Sequence, residues 1–341
     1  MSSLTPRTTR NFSPWAYWMH HLASVQNDDG FNPSVIEDFA PWRERTLHRL
    51  RTLVGPTPHP VPLNFEVLAS EDCGSYRRDK VVFDSEEMMS VPAYLLVPHD
   101  RATAGPAVLA IHGHSAGKAQ ICGLVDDGIS GDYAHQLALR GYVVLAPDLR
   151  CWGERADAVP DDHYLCDTNL VHAVMAGATP LSQNLWDLAR CLDVLAQHPL
   201  VDASRISACG FSYGATLTLF LAALDERVHV AVVASFLTSW SASHAVALNM
   251  CGSQVLPGML GQIEHLDVAA LLYPRPLFVE SAIDDPLFPA AEAKVTMAAL
   301  ETLYESCPPG TLVHEIIDGE HQWLGEQAYP FVERWSPLGV D

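Results

Sequence analysis

The chain has 341 residues, 48% of them hydrophobic and 18% charged, with a formal net charge of −21. That balance describes a folded chain long enough for a large core and excludes a disordered one. The negative charge disfavours nucleic acid and anionic membrane surfaces as partners, and eight scattered cysteines without a C-x-x-C pair read as reduced thiols, not a disulfide framework.

Residues 1–10 read as a loose tail, without the apolar core of a signal peptide, and no run reaches transmembrane length. A cytoplasmic protein is expected. Asn11 to Leu53 is helical in character and rich in aromatics (Phe12, Trp15, Tyr17, Trp18, Phe31, Phe39, Trp42). Asn32 or Ser34 is placed to cap a helix running through Val35-Ile36 to Leu50 and Leu53. Gly55-Pro56-Thr-Pro58-His-Pro60 then breaks it, so residues 1–60 are expected to form a helical extension. Its aromatics either pack on the rest of the chain or also wall a pocket.

From Pro62 the period becomes that of strands. Leu63–Ala69, Arg78–Phe83 and Val91–Leu96 read as an antiparallel lead-in. Strand and helix patterns then alternate. Strands are expected at Ala107–Ile111, Tyr142–Ala146, Ile206–Cys209, Val228–Ala234, Pro276–Val279 and Leu312–Ile317, with helices at Asp132–Arg140 and Leu185–Gln197 among them. Continuous apolar strands alternating with helices predict an α/β fold: a mostly parallel central sheet covered on both faces, over residues 61–341. The stretches 151–180 and 235–267 carry little strand pattern and are expected to lie over the carboxyl ends of the strands, where ligands bind. Trp240, His244, Met250, Cys251 and Met259 in the second are candidates for a substrate wall.

The chemistry centres on Gly210-Phe-Ser212-Tyr-Gly214, where a strand pattern ends and a helix pattern begins. A sharp strand-to-helix turn lifts a serine hydroxyl clear of the sheet, and glycines on either side leave room for it. Tyr213, at the helix start, then offers a backbone N–H to a developing oxyanion. A serine hydroxyl needs a positioned base. His321, in Gly319-Glu-His-Gln-Trp323 after the last strand, is the candidate; His314 lies inside that strand and reads as structural. The base needs an acid to orient it, and Asp284 and Asp285, after the Pro276 strand, both qualify. The loop Ile111-His112-Gly113-His114-Ser115-Ala-Gly117-Lys118 follows the first parallel strand, and the N–H of His114 is the candidate second oxyanion donor. His112 and His114 lack a third ligand at metal spacing and the P-loop spacing is absent, so neither metal nor cofactor is expected. Asp148, Arg150, Glu154 and Arg155 read as a structural ion network beside a strand end, with a pocket rim as the rival reading. Asp187 and Arg190 read as a surface or packing pair.

Taken together, Pro106–His114, Ala146-Pro-Asp-Leu-Arg150 with Trp152-Gly-Glu-Arg155, Gly210–Gly214, Pro274-Arg-Pro276, Asp285-Pro-Leu-Phe-Pro289 and Glu320-His321 resemble the α/β-hydrolase superfamily. Within it they are most similar to the dienelactone-hydrolase-like and acetyl-xylan-esterase-like group, over roughly residues 61–335. The resemblance implies that Asp285 is the acid, because Asp-Pro-x-Phe-Pro is where such proteins carry it. Ala282 stands where the group usually has glycine, and Ser115 replaces the second glycine of its His-Gly-His-Gly. The expected activity is serine-dependent cleavage of a small soluble ester, with Ser212, Asp285 and His321 as triad and no cofactor. Carbon–carbon or amide bond hydrolysis by the same triad, and a non-catalytic ligand-binding relative, are the alternatives. A homo-oligomer is left open.

Overall fold

The computed structural model describes residues 10–34, 38–158, 165–245 and 250–339. The tail expected over residues 1–10, Arg10 apart, and the Val35-Ile36 part of the expected helix lie outside them. Among the described residues, three antiparallel strands open the sheet: β1 (Glu66–Asp72), β2 (Tyr76–Glu86) and β3 (Met89–Pro98). Six parallel strands follow: β4 (Gly105–Ile111), β5 (Val143–Pro147), β6 (Val201–Phe211), β7 (Val228–Ala234), β8 (Leu277–Ala282) and β9 (Leu312–Ile317). The spatial order is β1-β2-β3-β5-β4-β6-β7-β8-β9. Burial explains the sequence patterns. β4, β5, β7, β8 and the second half of β6 are almost wholly buried runs, whereas β2 alternates buried and partly exposed residues because one of its faces meets solvent. The edge strand β1 is exposed along its length and carries Glu66, Glu71 and Asp72, charges that discourage pairing with another chain.

The helices, in chain order, are α1 (Pro14–Ser24), α2 (Phe39–Val54), α3 (Lys118–Ile121), α4 (Tyr133–Leu139), α5 (Leu165–Met175), α6 (Pro180–Gln197), α7 (Tyr213–Leu224), α8 (His265–Ala270), α9 (Ala290–Tyr304) and α10 (Ala328–Trp335). They cover both faces of the sheet over two buried apolar clusters, one around Leu188, Leu217 and Phe220, the other around Tyr133, Phe278 and Phe331. At the N-terminus, α2 starts later than expected, capped by Asp38, whose carboxylate accepts from Ala40 N–H. Pro41 is the reason. A helix begun at Val35 would bury that proline in its interior, whereas from Phe39 it falls in the first turn, where no intrahelical bond is lost.

The aromatics of the extension divide. Phe31 and Trp42 are buried, and Asp267 accepts from Phe31 N–H and Asn27 Nδ2 at 2.6 Å each. Helix α2 packs on α7 and α8. In contrast, Phe12, Trp15, Tyr17 and Trp18 are exposed, and α1 buries no residue.

The chain runs from β4 outward to β5, then returns past β4 to lay down β6 on its other side. In an open parallel sheet such a reversal leaves a crevice at the carboxyl ends of the two strands. Ile111 pairs with Gly210 in the β4–β6 register, so the loops after Ile111 and after Phe211 face each other there.

Candidate active site

Ser212 sits at that crevice with φ +57° and ψ −122°, a backbone conformation that costs an L-residue on the order of 1–3 kcal/mol. The strain is held by close packing. A side chain on Gly210 would run into Gly214 O, and one on Gly214 into Ile111 O. Only glycine on both sides lets the β6–α7 turn pass this near to β4. Ser212 N–H is donated to Ala234 O (2.9 Å), while Tyr213 is the first residue of α7 and its N–H has no carbonyl partner within the helix.

Ser212 Oγ lies 2.8 Å from His321 Nε2, and His321 Nδ1 lies 2.7 Å from Asp285 Oδ2. Because a carboxylate only accepts, Nδ1 carries the proton, and Nε2 is left to accept from the serine hydroxyl. Asp285 is buried and its second oxygen accepts from Leu287 N–H (2.8 Å) and Phe288 N–H (3.0 Å). Its neighbour Asp284 is exposed. The rings of Phe211 and Phe288 flank His321, with centroids at 4.8 and 5.7 Å. Glu280, at 0% exposure, holds the loop beyond His321 by accepting from Leu324 N–H (3.1 Å) and Gly325 N–H (2.8 Å). Burial pushes its carboxyl up to about 7.

On the facing loop, His112 is buried and accepts Leu149 N–H at Nε2 (3.0 Å), so its Nδ1–H is donated to Gly113 O (2.7 Å). Burial pushes its pKa down to about 4, which keeps the ring neutral. Carbonyl and N–H point in opposite directions across a trans peptide, so holding Gly113 O fixes the direction of His114 N–H. The buried Lys118–Asp148 ion pair anchors the same loop, with Asp148 also accepting Lys118 N–H (2.8 Å). Asp148 and Glu154 thus pair with Lys118, whereas Arg150 and Arg155 both pair with Asp187 at 2.8 Å. This is a structural network, with none of these residues lining the cavity. The expected Asp187–Arg190 pair does not form. Asp187 is buried under the two arginines, and Arg190 bonds Asp193 and Val61 O.

A cavity of about 650 Å³ opens over Ser212 and His321. Its wall includes His114, Asp167, Met250, Cys251, Gln254, Pro286–Phe288 and Glu320. Of the expected wall residues, Met250 and Cys251 face it. Trp240 and Met259 are buried in the core, and His244 packs between Phe236 and Trp240. Among the described residues none of the N-terminal segment lines it: Phe31, Phe39 and Trp42 pack on the core, the exposed Phe12, Trp15, Tyr17 and Trp18 do not, and neither set walls the pocket. Gln254, which receives a 2.6 Å hydrogen bond from Thr216 on α7, Asp167 and Cys166 had no local signal, because their places depend on contacts far along the chain. The eight cysteines are free thiols. The Cys251 thiol is pushed down from its ordinary range, first by a hydrogen bond from Cys166 and then by His114.

Residues 8–293 match the model of the Abhydrolase family, which is most of the chain. The chain belongs to the Abhydrolase family. It is 24% identical over 257 residues to a Bacillus subtilis (strain 168) protein named "Putative hydrolase YtaP", covering 73% of this chain and 83% of that one. Among solved structures this Abhydrolase is similar to a glucuronoyl esterase from Solibacter usitatus, with TM-score 0.65, 17% identity and coverage of 86% of this chain and 92% of the other. It is also similar to acetyl xylan esterase 1 from Thermoanaerobacterium sp. JW/SL YS485, with TM-score 0.62, 18% identity and coverage of 93% and 98%. The α/β-hydrolase fold expected from the sequence is therefore the fold of this chain. Among the described residues no helix is long and apolar enough to cross a membrane.

Proposed function

We propose that this Abhydrolase is a serine hydrolase that cleaves a carboxylic ester of a small soluble molecule through an acyl-enzyme. The observation that carries the reading is the hydrogen-bonded series Ser212–His321–Asp285, with Ser212 and His321 on the wall of the cavity. Ser212 Oγ attacks the ester carbonyl while His321 Nε2 takes its proton and passes it to the leaving alcohol. Asp285 holds the imidazole in the required tautomer and stabilises the imidazolium. The backbone N–H groups of Tyr213 and His114 donate to the oxyanion of the tetrahedral intermediate, and a water then repeats the sequence on the acyl-enzyme. Esterases among the structural neighbours support an ester as the scissile group. We read residues 1–60 as a helical extension packed on a catalytic domain of residues 61–341, and the free thiols fit a reducing, cytoplasmic setting.

Ser212→Ala tests the reading. The variant should unfold like the parent, lose covalent labelling by a fluorophosphonate probe, and lose turnover of a nitrophenyl ester by several orders of magnitude. A residue of about 10³–10⁴-fold over water is expected from the oxyanion donors and binding. Near-normal turnover in that variant would sink the proposal. Loss of labelling together with parental activity on amides or diketones alone would move the scissile bond, not the nucleophile.

A further inference from the structure

Beside Ser212, three side chains that ester cleavage does not use converge from three separate segments. His114 comes from the loop after β4, Cys166 from the first turn of α5, and Cys251 from the stretch before a short helical turn at Gly252–Gln254. One ring nitrogen and two sulfurs all lie within 4.8 Å of one another, and His114 Nε2 is 2.9 Å from Cys251 Sγ. The two thiols are held in register, because Gly252 N–H is donated to Asp167 Oδ1 (3.2 Å) and ties the Cys251 stretch to α5. His112, two residues from His114, takes no part: it is buried with both ring nitrogens already bonded.

We propose that His114, Cys166 and Cys251 form a three-ligand site for one thiophilic divalent cation of the zinc class, with the fourth coordination position turned to the cavity. The donor set is the reason for the class. Thiolate and imidazole suit zinc-like ions, whereas magnesium and calcium call for oxygen. Around a tetrahedral zinc, with bonds of about 2.0–2.3 Å, ligand atoms stand about 3.5–3.8 Å apart. The three donors reach that spacing with shifts of less than about 1 Å. Cys166 is buried, while His114 and Cys251 line the cavity, so an ion held by all three has its open side toward Ser212. A bound ion would join the loop carrying the proposed oxyanion donor His114 to α5. Acylation chemistry is not needed for any of this, so the proposal stands apart from the esterase reading.

The test is binding of zinc and of cobalt(II) to the full-length, fully reduced protein. One equivalent should bind, and the cobalt form should show a thiolate-to-metal charge-transfer band in the near ultraviolet. Cys251→Ser and Cys166→Ala should each diminish that band and weaken zinc binding by more than the roughly 10–100-fold that an outer-shell partner accounts for, and the double variant should abolish the band. His114→Ala should weaken zinc binding and shift the band, and Ser212→Ala should keep both intact. The cobalt spectrum of the parent protein decides the matter even if a cysteine variant fails to fold. No charge-transfer band, or zinc binding unchanged in both cysteine variants, overturns the site. So does a parent that binds no zinc but forms a Cys166–Cys251 disulfide with peroxide, because the pair is then a redox couple.

Discussion

Asp284 and Asp285 adjoin in one loop, and their surroundings separate them. Asp285 is buried, with one oxygen on His321 Nδ1 and the other on two backbone N–H groups, while Asp284 is exposed. Asp285→Asn offers Nδ1 an amide that favours the wrong tautomer, so turnover should fall on the order of 10⁴-fold. Asp284→Asn should stay within a few-fold of the parent. Steady-state rates on one activated ester compare the two directly; the reverse ranking would move the acid to Asp284. From residue types alone these aspartates were equivalent, and only the resemblance preferred Asp285. Ser212 and His321 were legible for a local reason, since a strand-to-helix turn between glycines and a post-strand loop are short-range features. The partners that hold them were not. Glu280 stands just past the strand expected at Pro276–Val279, and nothing nearby in the sequence reveals that it caps the N–H groups of Leu324 and Gly325.

Elements position these residues, and Glu280 makes one such link pH-dependent. Its carboxyl titrates near 4.5 when free and is pushed up to about 7 by burial. Between those values the folded chain keeps a proton that the unfolded chain has released. Its contribution is therefore fully present below about pH 4.5, declines as pH rises, and levels off above about 7, with a slope on the order of 1 kcal/mol per pH unit. Glu280→Gln cannot ionise. Urea unfolding of both proteins at pH 5, 6, 7 and 8 should show the stability of the variant relative to the parent rising to about pH 7 and then flat. A pH-independent difference would mean that the buried carboxyl titrates normally. Element boundaries were legible where the period was strong. The interior strands fell within a few residues of expectation, because burial on both faces demands continuous apolar runs. The start of α6 at Pro180 was missed, although Thr179-Pro180 is a cap followed by a first-turn proline, and Thr179 and Ser182 cap each other reciprocally. The polar beginning of β6, Asp202 to Arg205, lay outside the expected strand; it falls in an irregularity of the β4 register, between the pairs Gly105–Val201 and Ala107–Ile206.

At the scale of the molecule, the alternation of strand and helix patterns made the parallel sheet and its ligand-binding edge legible, while the pocket's size was not. Its wall is assembled from distant pieces, including Asp127 to Ser130, the start of α5 and Met250 to Gln254. About 650 Å³ lies in the range of sites for small ligands. The net charge of −21 opposes adsorption to anionic lipid, and Asp127, Asp167 and Glu320 bring the same sign to the cavity wall. Compact, neutral esters should therefore be the better substrates. Among nitrophenyl esters, acetyl and butyryl should be cleaved with higher kcat/KM than long-chain ones, without a jump above the substrate's solubility limit. A matched acyl group ending in a free carboxylate should react more slowly than its neutral counterpart at low ionic strength, and the gap should narrow as salt screens the field. Rates that climb with chain length and rise abruptly at an interface would identify a lipid-active enzyme instead. A carboxylate-bearing ester that matches the neutral one at low salt would show that the wall's charges do not reach the acyl site.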